Sequence, residues 1–436
     1  MSSIQTDSTN MDWWYRERQR RQARLLLFLA LVMVLIGFFY WRAAYGRIGA
    51  VGDINFDTTN HIVFVHQGAD GNLSLYSIRA DGSDLRKLTA DEDRSNKQDP
   101  TWTADGKAIL YASNKIDGRV SQIYILGNGE TKQLTYGTGN KFAPAASPDG
   151  RRVAFVTQGA IKTVLLNGAD VLQVLPPPRA GNAPMEDPNA LAMTMELQGP
   201  FLNALFSHDG RAIAGVQSLS VEDNPPNMGD LIPGSQVGRV VLPDGDRAPI
   251  LATGKEVSMA WDPDRLRIAC SFTEVETRVA GKPTLLSGIY LYDFTRGNKP
   301  EVSPILLCFG YTLLPKNIAW SPDGKRIAFE GWRFKSEGVR ELRGITLIDV
   351  DRPSSVRTPA EADQVPYLIP STSQGRPQRP RWSPDGTRLL YELVKPDGKR
   401  DLWVVNYDGS NPINLTAELK GDNAQGDWSP AGKGRK

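Results

Sequence analysis

Histidine and cysteine are scarce in this chain. Its 436 residues include three histidines (His61, His66, His208) and two cysteines (Cys270, Cys308). Structural zinc sites draw most of their ligands from these two residue types, and no zinc-type cysteine spacing occurs. There is no glycine-rich phosphate loop and no nucleic-acid motif. No Gly-x-Ser-x-Gly nucleophile elbow is present either. Charge is nearly balanced, with 51 Lys and Arg against 49 Asp and Glu, so composition gives no argument for nucleic acid or a strongly acidic partner. These absences predict a protein without metal, without cofactor and without a nucleic-acid partner, and one that is not an enzyme.

What is plentiful is turn chemistry. The chain has 41 glycines and 30 prolines, and 40% of its residues are hydrophobic. That combination suits a packed core made of many short elements. The N-terminus is different. Residues 1–24 end in an arginine-rich stretch, "RERQRRQAR" (16–24), and are followed by "LLLFLALVMVLIGFFYW" (25–41), 17 uncharged residues. Such a run just spans a hydrocarbon core as a helix. Trp13, Trp14 and Tyr15 precede it and Phe38–Trp41 end it, as aromatic belts do. The arginines on the N-terminal side put that end in the cytoplasm and the rest outside. "FFYWRAAYG" is a poor cleavage site for the alternative, a signal peptide. The expectation is a basic arm (1–24), a membrane helix (25–41), a linker (42–53), a folded domain (54–430) and a short tail (431–436), with the domain in the periplasm.

From residue 54 onward one phrase recurs: "WTADG" at Trp102, "ASPDG" at Ala146, "FSHDG" at Phe206, "WDPDR" at Trp261, "WSPDG" at Trp320 and Trp382, and "WSPAG" at Trp428. Successive spacings are 44, 60, 55, 59, 62 and 46 residues. Strand-like runs follow, such as "RRVAFVT" (151–157) and "KRIAFEG" (325–331), then a second run such as "GIYLYDF" (288–294), and in many units a third ending in "LT". Four β-rich runs per unit at this period mean propeller blades. Counting the second runs gives seven. The first unit lacks its preface, whereas the preface at Trp428 has no unit after it. The C-terminal run therefore serves as the inner strand of the first blade and closes the ring, which hides the free edges. The fold expectation is all-β: one propeller of seven four-stranded blades preceded by one transmembrane helix.

Within the phrase, Pro, Asp and Gly read as a tight turn. Asp149, Asp323 and Asp385 are then turn residues rather than ligands, and Trp102, Trp261, Trp320, Trp382 and Trp428 are wedges between blades. On "WSPDGKRIAF", "YSIRADGSDLRKLT" (76–89) and "NYDGSNPINLT" (406–416), the units resemble the TolB-like propeller repeats of bacterial envelope proteins and of prolyl-oligopeptidase relatives. The resemblance covers roughly 54–430 and implies fold rather than activity.

Propeller topology sorts the connections onto two faces. The "SPDG" and "ADGSD" turns lie on one face and are short. The opposite face receives long segments: 89–100, 175–200, 218–236, 273–283 and the proline-rich 351–380. Long loops on a rigid ring are where recognition usually sits. The candidate binding residues are Asp91, Glu92, Asp93, Asp99, Glu186, Asp187, Glu222, Asp223 and His66. The short-turn face collects bases, among them Lys107, Arg151, Arg152, Arg211, Arg265, Arg267, Lys325, Arg326 and Arg388. Cys270 and Cys308 fall on the second and outermost strands of one unit, about two strand spacings apart, too far for a disulfide. The functional expectation is an anchored scaffold in the cell envelope that binds a protein, peptide or glycan. The alternatives are a hydrolase or lyase acting at the central channel, and a sensor coupled to a cytoplasmic partner.

Overall fold

The computed structural model describes residues 57–90, 94–116, 118–127, 130–175, 200–219, 236–242, 250–279, 282–296, 300–310, 312–336 and 339–430. The expected basic arm, membrane helix, linker and C-terminal tail lie outside these residues. So do the acidic positions Asp91, Glu92, Asp93, Glu186, Asp187, Glu222 and Asp223. Among the described residues no helix is long and apolar enough to cross a membrane.

Short β-branched and aromatic runs punctuated by tight turns pair mostly with their sequence neighbours, and the described residues form seven sheets whose blade strands run antiparallel. Blade one takes its inner strand from the far end of the chain: Asp422–Trp428 pairs with His61–Gln67, which is followed by Leu73–Arg79 and Arg86–Lys87. Blade two runs Lys97–Trp102, Ile109–Ser113, Gln122–Gly127 and Glu130–Gln133 from the axis outward. Blade three has the inner strand Lys141–Ala146, and blade four has Leu205–Phe206. Blades five, six and seven begin at Val257–Trp261, Leu314–Trp320 and Arg376–Trp382. The ring closes as its sequence predicts.

The core is divided by blade. Seven hydrophobic clusters occur, one at each interface between neighbouring blades. The repeat tryptophans are the wedges. Trp102 donates its indole N–H to the Asp427 carbonyl of the previous blade at 3.2 Å. Trp261 does so to Leu205 (3.1 Å), Trp382 to Ala319 (3.1 Å) and Trp428 to Arg381 (3.3 Å). Trp320 is buried, as are Trp102, Trp382 and Trp428, but its indole nitrogen has no hydrogen-bond partner; it packs under the Arg267 guanidinium, 5.6 Å from the ring centroid. The closing threonine of the "LT" run is structural as well. Thr89, Thr135 and Thr416 are buried and accept the N–H of Leu75, Ile123 and Leu402 in the third strand of their own blades.

Two blades depart from the pattern. In blade five the second and third strands extend as a hairpin, Arg267–Val279 with Lys282–Asp293. In blade six they do likewise, Arg326–Ser336 with Val339–Asp349. Residues 273–283, expected as a loop, are thus mostly hairpin. The 351–380 stretch is not one long loop on the opposite face. It leaves the third strand of blade six at the short-turn side and lays Ser354–Val356 in parallel along the outer strand of blade five, Glu301–Phe309. The short helix Pro359–Asp363 follows, capped by Thr358, and then Ile369–Pro370 as the outer strand of blade six. A three-residue strand is too short to carry a readable pattern.

Candidate binding site in the central channel

The repeated turn is closed by its own atoms. In "ASPDG" the Gly150 N–H donates to the Ser147 carbonyl at 2.9 Å, and the Asp149 carboxylate accepts from the Arg151 N–H at 3.0 Å. The glycine sits at φ 68° in Gly150 and 71° in Gly210, Gly324 and Gly386, conformations that favour a residue without a Cβ. Asp323 and Asp385 likewise accept from Ser321 and Ser383 and from the N–H two residues on. The aspartates serve the turn.

"WDPDR" breaks the phrase by placing Asp262 where serine or threonine stands elsewhere. Asp262 is almost fully buried and receives the Nε of Arg267 at 2.7 Å. Arg267, counted among the bases of the short-turn face, is therefore buried in a pair. Others are also engaged: Arg152 pairs with Asp170, Arg326 lies over Tyr407 (4.7 Å), and Arg388 lies over Trp428 (5.6 Å).

The channel wall is more informative. The inner strands of blades one, two, three, six and seven each contain one residue at positive φ: Gln425 (57°), Asp99 (51°), Ala143 (48°), Asn317 (48°) and Arg379 (54°). At each of these points the ladder to the second strand shifts register, as a bulge does. The bulge turns a backbone N–H away from its own sheet, and a polar side chain of the preceding blade accepts it. Gln425 Oε1 accepts from Asp99 N (2.9 Å) and Asp99 Oδ2 accepts from Ala143 N (3.0 Å). Glu330 Oε1 accepts from Arg379 N (2.7 Å) and Glu392 Oε1 accepts from Gln425 N (2.8 Å). Blade five reaches blade six through Ser258 Oγ and Ile318 N (3.3 Å), and blade four reaches blade five through Gln236 Oε1 and Val257 N (2.8 Å). Among the described residues, side-chain bonds of this kind join six of the seven neighbouring blade pairs and form a girdle that is open between blades three and four. Two of its members, Glu330 and Glu392, are buried carboxylates at 1% and 4% exposure; Glu330 accepts hydrogen bonds at both oxygens, whereas Glu392 Oε2 has no hydrogen-bond partner and faces the Arg400 guanidinium at 3.6 Å.

Inside this girdle lies a cavity of about 1150 Å³. It runs from Pro148, His208 and Pro263 at the turn face to Gln236, Glu256 and Trp332 at the opposite mouth. Its width comes from small residues on the wall, Ala145, Ser258, Ala260 and Ala319. At the wide mouth, Glu256 pairs with Lys316 and Arg340, and Arg340 also pairs with Glu274. Arg340 thereby ties the blade-six hairpin to blade five. Lys316 Nζ stands 4.6 Å from the Trp332 ring centroid, and the Trp332 N–H donates to Glu330 Oε2 at 2.8 Å.

Of the expected binding residues, Asp99 and His66 are among the described residues. Asp99 is not on a loop; it belongs to the inner strand of blade two and is held by Gln425 and Ala143. His66 ends a strand on the long-loop side, buried, with Nδ1 2.8 Å from Asn423 Oδ1 and its ring edge-on to Tyr76. His61 lies fully buried between Ser77 Oγ (2.8 Å) and Asp84 (3.3 Å). That Ser–His–Asp order resembles a hydrolytic triad, yet Ser77 has no exposed surface on which a substrate could sit. Burial lowers the His61 pKa from its ordinary value. Cys270 and Cys308 are free and buried on the second and outermost strands of blade five, and burial raises both thiols far out of the reactive range. Among the described residues no group of three or more His, Cys, Asp and Glu side chains could hold a metal ion. Sequence reasoning missed Glu330, Glu392, Lys316, Trp332 and Arg379. The two glutamates did leave a signal, since "AFEG" and "LYEL" put Glu where the other blades carry Ala, Val or Ser.

No known family's sequence profile matches the chain. Two curated relatives do. An uncharacterized protein of Agrobacterium fabrum is 32% identical over 123 residues, 27% of this chain and 34% of that protein. Dipeptidyl-peptidase 5 of Porphyromonas gingivalis is 24% identical over 333 residues, 69% of this chain and 45% of the enzyme. The chain thus spans less than half the length of either relative. Among solved structures, a puromycin-hydrolyzing peptidase of Mycobacterium tuberculosis matches 84% of this chain and 53% of its own, at 15% identity and a TM-score of 0.50. TolB of Acinetobacter baumannii matches 86% of this chain and 68% of its own, at 18% identity and a TM-score of 0.47. The fold is a seven-bladed β-propeller, the architecture that the resemblance of its repeats to TolB-like units implies. The expectation that the chain is not an enzyme is overturned here: a dipeptidyl-peptidase carries a segment similar to most of this chain.

Proposed function

We propose that this chain is a membrane-anchored, extracytoplasmic propeller that binds peptide segments, free or within proteins, at the long-loop mouth of its central channel. The observation that carries the reading is the channel cavity itself, roomy because its wall residues are small and rimmed by Glu256, Lys316 and Trp332. Concave sites with a few convergent polar groups are the usual ligand sites of rigid scaffolds. The dipeptidyl-peptidase relative favours a peptide over a glycan as the ligand. Residues 25–41 supply the anchor in this reading, as an apolar run preceded by five arginines at 16–24. Retention of the full chain in membranes after alkaline carbonate extraction supports the anchor, and release into the supernatant overturns it.

Peptide hydrolysis is the second reading, favoured by the same relative. Titration of fluorescein-labelled peptide pools onto the detergent-solubilised full chain tests binding, with anisotropy as the readout. Saturable binding is the expected result; no binding to any pool overturns the proposal. Mass spectrometry of the same mixtures after incubation shows whether the peptides are cut.

A further inference from the structure

The girdle leaves one side chain over. At blades one and two the bulge residues spend their side chains on bridging, Gln425 on Asp99 and Asp99 on both Gln425 and Ala143. Asn317 donates its amide to Glu330 at 2.8 Å, and Ser258 accepts from Ile318. At blade seven the bridge to blade one is made by Glu392, from the second strand. The bulge residue there, Arg379, is thereby relieved of that duty. Its backbone is fixed, because its N–H donates to Glu330. Arg379 lines the cavity, its side chain is 51% exposed, and among the described residues its ion partner is Glu392, at 3.8 Å. That carboxylate is already shared with Gln425 N and with Arg400. Arg381, two residues along the same strand, also lines the cavity and reaches Asp427 with one nitrogen at 3.1 Å. Facing them is the open space left by the alanines.

A guanidinium fork on a fixed backbone, beside a water-sized to ligand-sized opening, matches a planar carboxylate in two parallel hydrogen bonds. Glu392, 3.8 Å from the guanidinium, opposes a doubly charged anion such as phosphate more than a singly charged carboxylate. We infer that Arg379, assisted by Arg381, is the anchor for a ligand carboxylate in the channel. Resting on the peptide reading above, the ligand is a peptide held by its C-terminal carboxylate. A peptide held by an acidic side chain would use the same chemistry, and the experiment separates the two.

The test uses the full chain and three fluorescein-labelled peptide pools: free C-termini without Asp or Glu, the same sequences amidated, and amidated sequences containing Asp or Glu. The free-carboxylate pool is expected to bind, and amidation to weaken it roughly tenfold or more, the effect of losing a charge-assisted pair. Arg379→Gln is expected to do the same. Arg379→Lys should recover only part of the loss, since lysine keeps the charge but not the fork. Arg352→Gln, at an exposed turn far from the girdle, is the control, and unchanged melting of each variant shows that it folds. Tight binding of the amidated acidic pool alone, lost in Arg379→Gln, moves the anchor from the terminus to a side chain and overturns the C-terminal assignment. Equal binding of all three pools, unaffected by Arg379→Gln, overturns the anchor but leaves peptide binding in the channel standing. No binding by any pool overturns both.

Discussion

The aspartate of the repeated turn is held by donors from its own loop. The Ser147 hydroxyl, followed by the Arg151 N–H, keeps the Asp149 carboxyl below the usual carboxylate range. A depressed folded pKa means that the stabilisation is present above the unfolded value, about 3.9, and is lost as pH falls through the folded value. Asp149→Asn should therefore be less stable than wild type near neutral pH, by a small amount because the group is largely exposed. The difference should shrink below about pH 4. Urea unfolding curves across that range check this, and an unchanged difference at low pH would speak against it. At the same scale, the channel residues illustrate what a sequence conceals. Asp99 stands in "DEDRSNKQDP", where its acidic neighbours and Pro100 read as loop. Its positive φ and its bond to Ala143 exist only because two other blades stand beside it. The bulge position holds Gln, Asp, Ala, Asn and Arg in different blades, so no residue type marks it. What recurs there is a backbone N–H, which every residue but proline has.

Elements were legible where chemistry repeats and illegible where it varies. The "SPDG" turns, the tryptophan wedges and the four strands per blade follow from local preferences that point the same way each time. The hairpin extensions of blades five and six do not repeat, and the cross-blade strand Ser354–Val356 depends on the edge it covers. The altered phrase "WDPDR" makes use of an arginine that other blades also carry at that place. Asp262 replaces serine, and Arg267 neutralises it in a nearly dry pocket. Arg267→Ala leaves that carboxylate buried and unpaired, and it should cost about 3–5 kcal/mol. Asp262→Ser, which restores the usual residue of the turn, should cost much less, because arginine already stands at the corresponding place in "RRVAF", "KRIAF" and "TRLLY". Denaturant midpoints of the two variants compare them directly; equal losses would contradict the pairing argument.

At the scale of the whole molecule, the final preface at Trp428 announced ring closure, and the structure closes through Asp422–Trp428. The closure also carries the girdle across the chain ends, since Gln425 bridges blades seven, one and two through Glu392 and Asp99. The ring is rigid where its blades interlock, and it is open where blades three to six present small wall residues. The sequence located recognition on the long-loop face because loops were the visible irregularity. The channel entered only as the site of an alternative hydrolase or lyase, and its lining was not legible because a cavity is the absence of side chains, spread over strands far apart in the chain. The central claim, that peptides enter this channel from the long-loop side, is tested most directly by a crosslink map. Photoreactive peptides bound to the full chain, irradiated and mapped by mass spectrometry, should label inner-strand residues around Ala260, Lys316 and Arg379 together with the hairpins of blades five and six. Labelling confined to the outer strands or to the "SPDG" turns would contradict it.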